Sequence, residues 1–278
     1  MRIVFLGTGA AEAVPGLWCE CERCEAARRE GGQAPRARTA ALIDGRLLID
    51  CGPDLAAATN RLGLSLAPVR TLLITHDHSD HLYTPNLEIR RAGFCATPLP
   101  TLSVFGSGSA IGRVRAIEGG EESMTLRTTE VAEFTTGTSD GYEFLALRAN
   151  HAKPPMVPLF YAITDGHSSL LYAHDTGRFP EATLRCLAQP PDGRRWQFDV
   201  VSLDATNGTL NKAHSSHMSL AQAGETRREL VERGLLKSEG TVVVNHFSHN
   251  GAPVHSELVE LLRDSGLQPA YDGLTIDF

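Results

Sequence analysis

The sequence contains no apolar run long enough to cross a membrane. Nowhere in its 278 residues is there a run approaching the roughly 18 apolar residues of a transmembrane helix. The opening residues Met1–Leu6 pass directly into Gly7-Thr8-Gly9 and lack the apolar core and the cleavage pattern of a signal peptide. We therefore expect a cytoplasmic protein with no membrane partner.

Positive charge is also scarce. Lys and Arg number 26 against 33 Asp and Glu, which gives a formal net charge of −7. A protein that binds a long nucleic acid needs many cations facing the phosphates, so this class of partner is not expected. A small anionic substrate remains compatible, because bound metal ions supply positive charge locally.

The cysteines lack the dispersed, even spacing of a disulfide framework. Three of the six, Cys19, Cys21 and Cys24, lie within six positions. A tight cluster indicates a metal in a reducing compartment, and a tetrahedral zinc needs a fourth ligand. We predict His249 as that ligand, because it lies three residues after His246 and one turn of backbone would present an imidazole to each of two sites. The alternative is a set of reduced, buried cysteines.

Repeats, low-complexity blocks and clear linkers are absent as well, which favours a single domain over residues 1–278 with a small zinc-binding loop near 19–24. Short apolar runs bounded by turn residues predict strands, and stretches with helical periodicity lie between them. The strands come in clusters separated by helices, which predicts two sheets covered by helices. The predicted strands are Ile3–Leu6, Ala41–Ile43, Leu47–Ile49, Thr71–Thr75, Leu102–Phe105, Phe144–Leu147, Leu159–Thr164, Ser169–Ala173, Val200–Leu203 and Thr241–Val244. The predicted helices are Leu55–Leu62, Pro180–Leu187, Ser219–Gly234 and Val254–Ser265.

The strongest chemical signal is a run of three histidines and two aspartates directly after the apolar strand Thr71–Thr75. In extended backbone, residues two apart point to the same side, so His76 and His78 can bind one ion, while Asp80 and His81 can serve a second. Imidazoles and a carboxylate suit Zn²⁺, Mn²⁺ or Fe²⁺. A single histidine here would be read as an ordinary turn residue, but so dense a run indicates metal binding.

This HxHxDH run after a strand resembles the signature of the metallo-β-lactamase superfamily. The resemblance implies an α/β fold, a four-layer αβ/βα sandwich with both metals at the rim between two sheets. It also implies later ligands at strand ends, at His151, at Asp175 and at His246. Read alone, each of these could be a surface histidine or a turn-forming aspartate. The implied dinuclear ligands are His76, His78, Asp80, His81, His151, Asp175 and His246.

The Cys19-x-Cys21-x-x-Cys24 run together with His249 resembles the PhnP-like phosphodiesterase branch of this superfamily. In that branch the corresponding residues bind a separate structural zinc. The resemblance therefore implies two divalent ions, Zn or Mn, in the active site and one structural Zn elsewhere.

Two adjacent ions can activate a water and bind a phosphoryl oxygen, but the leaving alkoxide still needs a general acid. The resemblance implies His217, just before a helix, as this catalytic residue, with His214 as the alternative and Asp80 as the catalytic carboxylate. Asp204 and Asp77 are candidates to orient ligand histidines.

The resemblance thus implies a metal-dependent hydrolase, namely a phosphoric diester hydrolase in phosphonate metabolism whose substrate is a small anionic phosphodiester, either cyclic or linear. A homodimer is compatible with this interpretation. Other hydrolases on this fold, such as a lactonase, thioesterase or β-lactamase, need an acid like His217 less. A tRNA 3′-end nuclease would carry a basic arm that this chain lacks. PqqB-like proteins of quinone-cofactor biosynthesis share the cysteine run but have a degenerate histidine run, whereas here that run is intact. A non-enzymatic zinc scaffold would not account for the predicted dinuclear site in addition to the cysteine site.

Overall fold

The computed structural model of the protein describes residues 1–210 and 216–278. The chain contains groups of strands separated by helices. The strands are β1 (Arg2–Gly7), β2 (Ala40–Ile43), β3 (Leu47–Ile49), β4 (Thr71–Leu73), β5 (Leu102–Gly106), β6 (Leu126–Glu130), β7 (Thr136–Ser139), β8 (Tyr142–Arg148), β9 (Leu159–Thr164), β10 (Ser169–Ala173), β11 (Phe198–Asp204), β12 (Leu236–Asn245), β13 (Gln268–Pro269) and β14 (Thr275–Asp277). The helices are α1 (Glu22–Glu30), α2 (Leu55–Leu62), α3 (Pro85–Glu88), α4 (Gly108–Arg115), α5 (Gly120–Ser123), α6 (Glu181–Ala188), α7 (Leu220–Glu232) and α8 (His255–Leu262).

The strands form two sheets of the same construction. The first has the order β14-β1-β2-β3-β4-β5-β6 and the second β13-β12-β11-β10-β9-β8-β7. In each sheet one half is antiparallel and the other parallel: β3 to β6 are parallel in the first sheet, and β10 to β13 in the second. Parallel strands end at one edge of a sheet, and loops at that edge commonly carry functional residues.

The two sheets pack face to face over an apolar core. Phe5, Phe144, Tyr161 and Tyr172 are completely buried between them. Helices α2, α4 and α5 cover the outer face of the first sheet, and α6, α7 and α8 that of the second. The resulting layers are helix, sheet, sheet and helix, so the four-layer αβ/βα prediction is confirmed.

Each predicted strand and helix overlaps an element of the structure. The helix predicted from Ser219 begins as expected, because the Ser219 hydroxyl accepts from Gln222 N and the Gln222 side chain accepts from Ser219 N. This reciprocal pair satisfies two N–H groups that a helix start leaves open. The helix ends at Glu232, and Gly234 follows with φ +67°.

Strands β6, β7, β13 and β14 and helices α1, α3, α4 and α5 were not predicted. Strands β13 and β14 and helices α3 and α5 span only two to four residues each, and β6 and β7 are edge strands. The residues of these two edge strands are mostly exposed, so they show no apolar alternation. None of the described helices combines the length and the hydropathy needed to cross a bilayer.

Candidate metal centre

Five strand ends converge on one edge of the sandwich. His76 follows β4, His151 follows β8, Asp175 follows β10, and His246 follows β12, while Asp204 is the last residue of β11. Strands β10, β11 and β12 are parallel neighbours, so their ends lie side by side. This arrangement brings together side chains that are 170 positions apart in the chain, His76 and His246.

The first group of ring nitrogens is formed by His76, His78 and His151. His78 Nδ1 lies 2.9 Å from His76 Nε2 and 3.2 Å from His151 Nε2. His151 Nε2 in turn lies 3.4 Å from Asp175 Oδ1. Three imidazoles and one carboxylate oxygen therefore surround one point, which is a donor set suited to Zn²⁺ or Mn²⁺.

The second group contains Asp80, His81 and His246. His81 Nε2 lies 3.2 Å from Asp80 Oδ2 and 2.8 Å from Asp175 Oδ2, and His246 Nε2 also lies 2.8 Å from Asp175 Oδ2. Asp175 thus presents one oxygen to each group. All seven predicted dinuclear ligands lie in these two groups; that they bind metal remains a prediction.

The contacts inside the second group are close without being hydrogen bonds. His81 Nε2, His246 Nε2 and Asp175 Oδ2 are buried and have no hydrogen-bond partner in the described part of the chain. This holds although Asp175 Oδ2 lies only 2.8 Å from each of the two nitrogens. Buried polar atoms are normally satisfied. Metal ligands direct their lone pairs at a common point instead of at a hydrogen-bond donor. The arrangement of these three atoms therefore fits a divalent ion.

The opposite nitrogen of most of these histidines is held by a polar neighbour. Hydroxyl Oγ1 of Thr75 lies 3.0 Å from His76 Nδ1, and that of Thr206 lies 2.7 Å from His246 Nδ1. Asp50 Oδ2 lies 2.7 Å from His81 Nδ1. Such partners orient a ligating imidazole and set its tautomer, so Nε2 is the nitrogen directed at the metal position.

Negative charge dominates the centre. In the described residues, Asp50, Asp80, Asp175 and Asp204 all form ion pairs with histidines and none with Arg or Lys. Burial opposes the charge of His81, but the carboxylates of Asp175, Asp50 and Asp80 outweigh it and raise the pKa of His81 well above its usual value. Buried carboxylates need compensating positive charge, which divalent ions would supply.

Three residues of the centre adopt left-handed backbone conformations. The φ angles are +63° at Asp50, +48° at Asp175 and +62° at His246. Non-glycine residues adopt this region uncommonly, although aspartate and histidine do so more often than most. Such local strain is concentrated at functional sites, where the surrounding structure enforces it.

His217 lies beside the ligand groups in a pair with Asp204. Its Nδ1 is 3.0 Å from Asp204 Oδ2, and its ring is 4.8 Å from that of His151 and stacked at 5.7 Å on that of His246. Burial opposes the imidazolium charge, but Asp204 outweighs it and raises the pKa of His217 to about 9. A histidine with this pKa holds a proton at neutral pH and can donate it. The alternative general acid, His214, lies outside the described residues.

The cysteine cluster forms a second, separate site. His249 Nδ1 lies 3.5 Å from Cys21 Sγ and 3.7 Å from Cys19 Sγ, and the ligand atoms of all four predicted residues, Cys24 included, lie within 4.8 Å of one another. Tetrahedral zinc, with Zn–S about 2.3 Å and Zn–N about 2.0 Å, places sulfur and nitrogen about 3.6 Å apart. The observed distances match this geometry.

The other nitrogen of His249 faces a carboxylate. His249 Nε2 lies 3.8 Å from Glu12 Oε1, which also accepts hydrogen bonds from the Ser248 hydroxyl and from Asn250 Nδ2. A carboxylate on the far side of an imidazole can orient that imidazole as a metal ligand. Ser248 lies between the two histidines His246 and His249, so one short segment connects both sites.

The sequence interpretation missed Asp50, Thr75, Thr206 and Glu12. Asp50 follows strand β3 directly, a position that would have suggested a site residue. Asp204 was a candidate and pairs with His217. Asp77 instead accepts from the Ser109 hydroxyl at 3.1 Å, and in the described structure its side chain forms no hydrogen bond or ion pair with a ligand histidine.

Comparison with known proteins identifies the family. A family model described as a beta-lactamase superfamily domain matches residues 45–237, more than half of the chain. The chain belongs to this superfamily. It therefore has the metallo-β-lactamase fold of a superfamily that includes metal-dependent hydrolases.

Several members of the superfamily resemble the whole chain. Coenzyme PQQ synthesis protein B of Ruegeria pomeroyi is 24% identical over 99% of each chain. Among solved structures, a diphosphatase from the PhnP family has a TM-score of 0.75 at 21% identity and covers 100% of this chain and 97% of that one. Zinc-bound PqqB from Methylobacterium extorquens has a TM-score of 0.70 at 17% identity over 100% of both chains. At these identities the structural likeness shows the fold alone.

Proposed function

We propose that this superfamily member is a dinuclear-metal phosphodiesterase that hydrolyses a small phosphodiester. The observation that carries the proposal is the pair formed by His217 and Asp204 beside the two ligand groups. A hydrolase that releases an alkoxide needs such an acid, whereas an enzyme that hydrolyses lactones or thioesters needs it less.

The ligand residues have separate tasks in this proposal. His76, His78 and His151 would hold one ion, and Asp80, His81 and His246 would hold the other. Asp175, which presents one oxygen to each group, would serve both. When bound, two such ions lower the pKa of a water and stabilise charge on a phosphoryl oxygen. The buried partners Asp50, Thr75 and Thr206 keep the imidazoles in the ligating orientation.

His217 protonates the leaving oxygen. Its Nδ1–H donates to Asp204, 3.0 Å away, which fixes the ring and assigns the transferable proton to Nε2. The ring lies 4.8 Å from His151, so a phosphoryl group bound by the first ligand group would lie near this acid. Asp80 is the catalytic carboxylate of the proposal, because it belongs to the ligand group that would hold the second ion.

The Cys19, Cys21, Cys24 and His249 site is proposed to hold one structural zinc. We further propose that the chain functions as one cytoplasmic domain, alone or as a homodimer, with a small anionic substrate and with no long nucleic acid or membrane partner. A role in phosphonate metabolism belongs to the same proposal, because the cysteine run is shared with PhnP-like phosphodiesterases.

A second candidate function is a role in quinone-cofactor biosynthesis. The similarity to PQQ synthesis protein B extends over 99% of both chains, which favours this alternative. The intact histidine run and the convergence of its side chains favour hydrolysis, because a degenerate run would not provide two complete donor groups.

A hydrolysis panel tests the proposal. Protein loaded with Mn²⁺ or Zn²⁺ is assayed on cyclic and linear phosphodiesters, diphosphates, phosphomonoesters, lactones and thioesters. We expect turnover on a phosphodiester and expect His217→Ala to lower it most for poor leaving groups, since an activated p-nitrophenolate needs no acid. Turnover confined to lactones or thioesters would overturn the proposal, and a PqqB-like role would leave the whole panel unhydrolysed.

A further inference from the structure

A second cavity lies in the outer layer of the first half of the sandwich, away from the metal centre. It has a volume of about 360 Å³, within the range of about 300–1,000 Å³ typical of small-molecule sites. Its floor is the helix-covered face of the first sheet, at Leu48, Leu72 and Leu102, and its sides include Leu55 of α2 and Leu87 of α3. None of the predicted metal ligands lines it.

The walls of this cavity, which we call the α2 cavity, are mainly apolar. The polar side chains in it are largely engaged elsewhere: the Thr59 hydroxyl donates to Leu55 O at 2.8 Å, and Asn86 Nδ2 donates to Gly52 O at 2.7 Å. An apolar space with few convergent polar groups is the usual form of a site for a small ligand.

Arg90 is the charged residue that lines the α2 cavity. Its Nη2 donates to Pro100 O at 2.7 Å and its Nε to Met124 O at 3.2 Å. Both partners are neutral carbonyl groups, and within the described part of the chain no carboxylate forms an ion pair with this guanidinium. The titratable side chains closest to it are the thiols of Cys51 and Cys95, and burial raises the pKa of the Cys51 thiol, so that thiol is neutral.

The position of Arg90 leaves its charge uncompensated. The side chain is half-buried, and burial lowers the pKa of its guanidinium. A half-buried cation without a counter-ion is costly. A ligand that brings one negative charge into this space would relieve that cost.

We propose that the α2 cavity binds a small amphipathic carboxylate, with its apolar chain against the leucines and its carboxylate on Arg90. A single guanidinium matches the single charge of a carboxylate, whereas a phosphate dianion would leave one charge unpaired in an apolar space. Arg90 Nη1 donates to no group in the described part of the chain, so it offers N–H donors to a carboxylate, and such charge-assisted hydrogen bonds are strong. The site is independent of the proposed hydrolase activity.

Calorimetric titration with octanoate tests the proposal. We expect saturable binding, with affinity rising about fourfold for each methylene added from butanoate to octanoate. Acetate provides a control, since it would still bind to metal ions but cannot fill the cavity. Octylammonium carries the same chain with the opposite charge and is expected not to bind.

Matched variants locate the binding site. Ala56 lines the cavity and is exposed on α2, while its neighbour Ala57 is exposed and does not line it. Ala56→Trp is expected to lower octanoate affinity by more than about tenfold because the indole occupies the space, and Ala57→Trp is expected to leave it unchanged. Arg90→Gln is expected to lower affinity by about 10- to 100-fold through loss of a charged hydrogen bond, whereas Arg91→Gln should not.

Three results would overturn the proposal. One is an absence of octanoate binding to the wild type at millimolar concentration. Another is equal affinity of the Ala56→Trp and Ala57→Trp variants, which would place the ligand elsewhere even if Arg90→Gln fails to fold. The third is a wild-type dimer in light scattering that Ala56→Trp converts to a monomer, because a second copy of the chain would then occupy the cavity.

Discussion

Asp50 Oδ2 lies 2.7 Å from His81 Nδ1, and both side chains are completely buried. The same carboxylate accepts from the Thr75 backbone N–H at 2.8 Å and from the Thr75 hydroxyl at 2.9 Å. A residue 31 positions before His81 therefore fixes the imidazole at the centre of the second ligand group. The orientation of His81 within the histidine run therefore depends on Asp50, which directly follows the earlier strand β3.

Asp50→Asn is expected to weaken metal binding about 10- to 100-fold. The amide would present an N–H group to His81 Nδ1, which favours the tautomer with its hydrogen on Nε2 and so blocks the nitrogen that faces the metal position. Competition with a chromophoric chelator measures the affinity. Asp77→Asn is the matched control, since Asp77 bonds to Ser109, and equal effects of the two substitutions would contradict the orienting role of Asp50.

His217 and Asp204 are expected to act as one unit. His217→Ala should lower turnover of an unactivated phosphodiester by about 10²- to 10⁴-fold, and Asp204→Asn should lower it by less, while the metal content stays unchanged. The double variant should be no slower than His217→Ala alone, since Asp204 acts through the His217 imidazole and has nothing to act on once that ring is gone. Steady-state kinetics on the four proteins tests this.

The control for Asp204 lies on the same strand. Asp199 is at the opposite end of β11 and pairs with Lys237, so Asp199→Asn should keep full activity. If the effects of His217→Ala and Asp204→Asn multiply in the double variant, the two residues act independently. That result would contradict the proposal that Asp204 acts through His217 as the general acid.

Zinc uptake at the cysteine site is expected to release protons. Burial raises the pKa of the Cys24 thiol to about 11, so this thiol is protonated at neutral pH before a metal binds. A ligating thiolate must lose that proton, and affinity should rise about tenfold per pH unit from this group alone. Calorimetry in buffers of different ionisation enthalpy measures the number of protons released. Cys186→Ser, outside the cluster, is the control and should release the same number. Zinc binding without proton release would be inconsistent with Cys24 as a ligand.

His255 should make the fold less stable in mild acid. Arg36 Nη2 donates to His255 Nδ1 at 3.2 Å, which requires a neutral ring. Burial and the Arg36 charge, opposed in part by Glu30, lower the pKa of His255 to about 4, against about 6.5 in the unfolded chain. As the pH falls, the unfolded state binds the proton before the folded state does. Neutral His255 therefore contributes about 3 kcal/mol to the free energy of unfolding, which is fully present above pH 6.5 and is lost as the pH falls toward 4.

Urea unfolding of wild type and His255→Gln at pH 7.5 and pH 5 tests this contribution. Other histidines titrate in the same range, so the difference between the two proteins isolates His255. The gap between their unfolding free energies should narrow at pH 5. His167→Gln, at an exposed position, should show a constant gap; a constant gap for His255→Gln as well would contradict the account.

Much of the centre could be predicted because its ligands occur in a dense run. Asp175 and His246 were implied by the resemblance to the metallo-β-lactamase superfamily, which places later ligands at strand ends. Asp50 also directly follows a strand, which is a signal for a site residue, but a single aspartate there serves equally well as a turn former, so that signal alone did not single it out. Glu12 and Thr206 act through contacts that only the folded chain creates.

The unpredicted elements have physical causes too. Helix α1 contains Cys24 and few apolar residues, so its sequence was interpreted as a metal-binding loop without helical periodicity. Strand β7 packs Gly137 against the ring of Phe144, a tertiary contact that local sequence does not encode.

Anomalous diffraction from crystals of the metal-loaded protein tests the central claim most directly. The account predicts two peaks about 3.5–4 Å apart between the strand ends, with one oxygen of Asp175 on each, and a third peak inside the cysteine cluster. A single ion between the sheets, or an Asp175 carboxylate turned away from both peaks, would contradict it.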